Sequence, residues 1–168
     1  MIFTIGVFIV LTIATAAKIT GRLADGWSVG ILEAVTQRET ASYVEADHTA
    51  HEVTVEPAAN YFVGRVRRQI RGGQTRFGTV VSAVNRDVSA TALGSQLHSA
   101  AYAGGIDFAH ESSDRIWLFT SAVSATHVRG SASAITRTQR SSLRYYQRPD
   151  ADHVELDPQA TSLSGYYL

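Results

Sequence analysis

Five cations form the one suggestive constellation in this sequence. Lys18 and Arg22 lie four apart, and Arg65, Arg67 and Arg71 recur at even spacing. In an extended chain, residues an even number apart share a face. Each set would present fixed positive charge and several hydrogen-bond donors to one side of a strand. Guanidinium groups arranged this way suit anionic or hydroxyl-rich solutes. The simpler reading is that they keep a strand face polar and hydrated, with no ligand at all.

The other chemistry-bearing residues are less organised. His48 and His51 stand three apart with Asp47 and Glu52 beside them. A metal can use such donors when a scaffold fixes them. No further ligands accompany them, and a solvated loop accounts for them as well. Asp150, Asp152, Glu155 and Asp157 lack the Gly and Glu positions of an EF-hand loop. No pair of carboxylates can be singled out for glycoside hydrolysis, and no G-x-S-x-G nucleophile elbow occurs. Gly72-Gly73 and Gly104-Gly105 have no phosphate-loop context and read as turn or close-packing glycines. The absence of cysteine excludes disulfides, thiol catalysis and Cys-ligated zinc. The expectation is no catalytic residue, no metal and no cofactor, and the reading leans away from an enzyme.

The elements that would position the cations are strands. Hydrophobic residues make up 45% of the 168 and charged residues only 18%, which excludes disorder. Gly, Ser and Thr keep the mean hydropathy near zero, as suits strands with one apolar and one polar face. The formal net charge is zero, so nothing electrostatic points to nucleic acid. Residues 1–16 are set apart as an apolar N-terminal segment and 17–168 as a partial β-barrel domain. The apolar run Met1–Ala17 is slightly short for a membrane-spanning helix, which needs about 18 residues or more. Three readings of it stay open. It is a signal-like segment with Ala14-Thr15-Ala16 as cleavage site, a strand rich in Ile, Val and Thr, or an artefact of the start site.

Asp25-Gly26, Gly72-Gly73 and Glu111-Ser112-Ser113-Asp114 are turn signals. They divide the chain into strands near 16–23, 27–38, 59–71, 75–86, 99–110, 115–128 and 160–168. Most are close to the roughly 9–11 residues a tilted strand needs to cross a bilayer. The three tight turns alternate with long segments near 39–58, 87–98 and 129–159. In an antiparallel meander this puts all short connections on one side and all long ones on the other, the outer-membrane pattern. Trp27, Phe77 and Trp117 lie near the short turns, and Tyr61, Phe62 and Tyr102 begin strands at the opposite edge. Together they predict two interfacial girdles. Ordinary core aromatics are the plainer alternative.

Alternation is uneven. Phe62, Val66 and Ile70 oppose Arg65, Arg67 and Arg71; Tyr102, Ile106 and Phe108 oppose Ala101, Ala103, Gly105 and Asp107. Arg68 breaks the pattern and is expected to snorkel. Glu33 breaks it too, and a bulge there would restore it. Residues 115–128 are apolar on both faces near Trp117. Ser131–Arg144, rich in Ala, Gln and Arg, has room for a short helix within a long loop, one that would fold over or into a barrel.

Several segments carry a family resemblance. They are Lys18–Arg22, Gly30–Thr36, Asn60–Arg65, Ala83–Asp87, Tyr102–Phe108 and, most specifically, Gln139–Asp150. They resemble the barrel part of the bacterial proteins grouped as domain of unknown function 5916, over roughly residues 17 to 168. The resemblance implies a large outer-membrane β-barrel, often preceded by a domain similar to family 9 carbohydrate-binding modules. No such domain precedes Lys18 here, the first 16 residues do not continue the resemblance, and the chain stops inside a strand-like segment. An internal slice of a longer protein is therefore expected. The family supplies no activity to carry over.

The expected fold is all-β, an antiparallel up-and-down meander of about seven strands, part of a transmembrane β-barrel. The expected location is the bacterial outer membrane. The expected partners are membrane lipid, the remaining strands of a larger barrel and a carbohydrate-like ligand, with no nucleic acid. The expected function is a pore or transporter for anionic or carbohydrate-like solutes, with Lys18, Arg22, Arg65, Arg67 and Arg71 lining the lumen. The alternatives are a membrane-anchored carbohydrate-binding protein or hydrolase whose active domain lies elsewhere, and a scaffold whose loops bind another protein. A soluble β-sandwich or lipocalin-like barrel is the alternative fold.

Overall fold

The computed structural model describes residues 12–45, 48–88, 91–150 and 152–168. Seven strands form one antiparallel sheet in the order β1-β2-β5-β6-β7-β8-β9, each beside its neighbour along the chain once β3 (Glu39–Val44) and β4 (Ala50–Glu56) are set aside. They are β1 (Ile13–Arg22), β2 (Trp27–Thr36), β5 (Ala59–Ile70), β6 (Thr75–Arg86), β7 (Ala100–Glu111), β8 (Leu118–Arg129) and β9 (Ser162–Tyr167). The first six have 10 or 12 residues, well beyond the strands of about 5–6 common in globular proteins. The sheet is open: β1 and β9 do not pair with each other.

Short and long connections alternate as expected. Asp25 and Gly26 both have positive φ (57° and 76°), which matches the twist of a tight antiparallel hairpin. A side chain at 26 would collide with the backbone carbonyl of Gln69, so the turn also requires glycine for space. The third short connection is longer than Glu111–Asp114. Asp114 accepts from the Ile116 amide (3.1 Å) and Ser112 Oγ from the Trp117 amide (3.0 Å), which holds 112–117 in a compact loop. The expected strand 115–128 therefore begins at Leu118. Ile116 and Trp117 precede it, which accounts for much of the apolar content that no single strand face could hold.

Two further expectations are corrected. The segment 39–58 is no open loop: β3 (Glu39–Val44) and β4 (Ala50–Glu56) pair as a separate two-stranded sheet. No bulge rescues Glu33. The β2–β5 register runs unbroken from Trp27↔Arg68 to Thr36↔Ala59, so Glu33 stays on the same face as Phe62. Its carboxylate accepts from the Asn60 amide at 3.0 Å instead. The register irregularity of this region lies in β1, between Ile13 and Thr15. β1 thus starts before residue 17, and residues 1–11, with most of the apolar run, lie outside the described residues.

The helix expected within Ser131–Arg144 is α1 (Ala132–Arg140). Ser131 caps it by accepting from the Ala134 amide at 3.2 Å. Ile135 and Gln139 are almost wholly buried. Gln139 donates to the Asp157 carbonyl and accepts from the Asp157 amide, both at 2.8 Å, tying the helix to the chain just before β9. Most of the buried residues among those described sit at this long-connection end: Thr36, Pro57, Ala59, Val88, Ala100, Ala134, Ile135 and Gln139. The sheet itself is a single layer with large apolar side chains exposed on it, Ile106 at 66% and Val81 at 47% among them. Among the described residues no helix is long and apolar enough to cross a membrane, which says nothing of crossing by strands.

Candidate functional site

Cross-strand partners share a face, so the register sorts the side chains into two sets. One face carries the row Thr20–Gly30–Arg65–Val80–Gly105–Ser124 and, next to it, Arg22–Ser28–Arg67–Gly78–Asp107–Ala122. The other carries Ile19–Ile31–Gly64–Val81–Gly104–Ala125 and Val29–Val66–Thr79–Ile106–Val123. Charged groups are densest on the first face toward the short-turn edge, whereas its other half mixes Leu32, Val63 and Val84 with Lys18, Ser82 and Thr126.

Arg22, Arg65 and Arg67 converge on a groove of about 400 Å³, with Ser28, Gly30 and Gln69 among its walls. Small residues between the arginines leave room for their long side chains to lie across the strands. Arg65 is not free. Its guanidinium donates to Asp107 at 3.0 Å. Asp107 reaches it by lying over Gly78, where any Cβ would collide with the carboxylate. Arg22 and Arg67 form no ion pair among the described residues. The groove therefore holds two uncompensated cations and one neutralised pair.

Lys18 shares the face but lies beside Leu32, two residues up the strand from Thr20 and away from the groove. Arg71 leaves the set. It has φ 53° and opens the Gly72-Gly73 turn, so the strand alternation that aligned it with Arg65 and Arg67 ends at Ile70. Two contributors were missed. Asp107 was placed on its strand face without a role. Arg76 pairs with Gln69 and so shares the cationic face; the alternation Arg76, Gly78, Val80 carried that signal.

The histidines do other work. His51 stacks on its cross-strand partner Tyr43, ring centroids 5.4 Å apart, and lies 3.9 Å from Glu45. His48 sits in the β3–β4 turn with positive φ, and Asp47 is outside the described residues. Among the described residues no three His, Asp or Glu side chains converge on a metal position. His98 bonds Thr138 of α1 at 2.7 Å and belongs to the buried cluster at the long-connection end.

The family model described as Domain of unknown function (DUF5916) matches residues 10–145. The chain belongs to the DUF5916 family. The match starts before the segments in which the resemblance was visible and ends before Tyr146–Asp150 and β9, so it covers β1 through α1. DUF5916 as described carries no activity. No curated protein and no solved structure matches the chain.

Proposed function

We propose that this DUF5916 chain contributes part of an outer-membrane β-barrel whose hydrated interior passes anionic or hydroxyl-rich solutes. One observation carries the reading: a single-layer sheet of long strands whose two faces differ as lipid and water do. Between the row of Arg68 and the row of Glu33, the apolar face holds no charge over about 20 Å of strand. Both flanking side chains are long enough to reach past its rims. A soluble domain would bury that face under a second layer. Charge-free apolar exteriors, short turns on one edge and long connections on the other are the habit of bacterial outer-membrane barrels. In this reading the groove of Arg22, Arg65 and Arg67 faces the lumen near its periplasmic end. Further strands, from the same chain or another copy, would close the barrel, since open edges invite pairing.

The test is conductance. The whole protein, reconstituted in a planar bilayer with a salt gradient, should show a reversal potential favouring anions. That preference should shrink when Arg22 and Arg67 become Ser. A barrel that inserts without conducting would point to the rival reading, a membrane anchor that binds through its long connections. The tightly packed cluster around Ile135 and Gln139 is the feature that favours that rival.

A further inference from the structure

Arg68 lies on the wrong face for a cation. The unbroken β5 register places it with Trp27, Phe77 and Phe108, one residue from Arg67 and therefore on the opposite side of the sheet. Its guanidinium carbon sits 5.1 Å from the centre of the Trp27 ring, a cation–π contact that satisfies the charge in part. Its hydrogen-bonding capacity is unmet. The Nε atom is buried without a partner, and Arg68 forms no ion pair among the described residues. With Nε closed off, the two terminal nitrogens of the guanidinium form the planar fork that fits two oxygens of one phosphate. Beside it runs an apolar cleft of about 360 Å³ lined by Trp27, Val66, Phe77, Thr79 and Ile106.

We infer that Arg68 and this cleft form a binding site for a phospholipid, the guanidinium taking the headgroup phosphate and the cleft an acyl chain. The inference rests on the membrane reading above and adds a ligand to the outer face. Charge complementarity selects the occupant. On an apolar face near the short-turn edge, the oxygen acceptors within reach of Arg68 are those of the headgroup layer. Phe77 and Phe108, 5.2 Å apart, share the row of Arg68, and Phe119, 5.9 Å from Phe108 and one row nearer the short turns, extends this aromatic cluster. Such rows settle at the level of lipid headgroups.

The experiment offers the whole protein two lipids of equal chain length, phosphatidylglycerol and a phosphate-free galactosyl diacylglycerol. Retained lipid is read by native mass spectrometry. The wild type should keep the phospholipid about tenfold better, the scale of a charge-assisted bidentate bond. Arg68→Gln should abolish the preference, whereas Arg67→Gln, on the other face, should leave it. Protein that floats with vesicles but retains both lipids equally overturns this inference alone. So does an Arg68→Gln variant with the wild-type preference. Protein that stays in the aqueous fraction overturns the membrane reading and this site with it. The wild-type comparison stands even if Arg68→Gln fails to fold.

Discussion

A row of cations read as equivalent from spacing is unequal in the fold. Arg65 spends its charge on Asp107, and that contact exists because position 78 has no side chain. Both ends of the pair are about half exposed, 52% and 42%, so it should add less than about 1 kcal/mol to stability. Its effect falls on the field in the groove. Asp107→Asn should release a third cation and raise anion preference in the reversal-potential measurement while the urea midpoint barely moves. Arg65→Ser should lower that preference about as much as Arg67→Ser does, because it leaves the Asp107 carboxylate uncompensated in the groove. The even spacing of Arg65 and Arg67 was legible because strand alternation holds through both. Arg71 was not, because Gly72 and Gly73 draw the turn one residue back. The ion pair was invisible because its partner lies two strands away.

The large elements were written plainly in the chain. Turn residues at 25–26 and 72–73 mark two hairpins, and the length of each apolar stretch sets its strand. β3 and β4 escaped because their alternation is short and weak: Ala41 and Tyr43 alternate with Thr40 and Ser42, and Val53 and Val55 with Glu52 and Thr54, only two apolar residues on one face of each strand. The helix was foreseeable from Ala and Gln, but the burial of Gln139 depends on Asp157, eighteen residues on. Where α1 meets the β6–β7 connection, His98 should make the packing pH-sensitive. Burial first, and the nearby Arg86 charge second, hold its pKa below the ordinary 6.5. The folded form thus prefers the neutral ring. Its contribution is whole above about pH 6.5 and is lost as pH falls through the lower folded value. Protease cleavage within 130–161 should rise on acidification from pH 7.5 to 5, and His98→Gln should flatten that dependence.

For the molecule as a whole, the two faces of the sheet make opposite demands. If the apolar face meets lipid, Ile106→Lys should cost about 2–4 kcal/mol in vesicle-based urea unfolding. Val80→Gln, on the cationic face, should stay within about 0.5 kcal/mol. Were the sheet bathed in water on both sides, Ile106, two-thirds exposed, would tolerate lysine equally well, and equal costs would end the membrane reading. The buried cluster at the long-connection end bears on how such a chain can diverge. Fluid hydrocarbon adapts to any outline, so the strands facing it answer to polarity and hardly to shape. Pro57, Ile135 and Gln139 must fit one another at the packing density of a solid. If the apolar face meets lipid, sequence drift should run inside out: that face should exchange Ile, Val, Leu and Phe freely, while the long connections, elsewhere the quickest parts of a protein to change, should hold still around a few interlocked side chains.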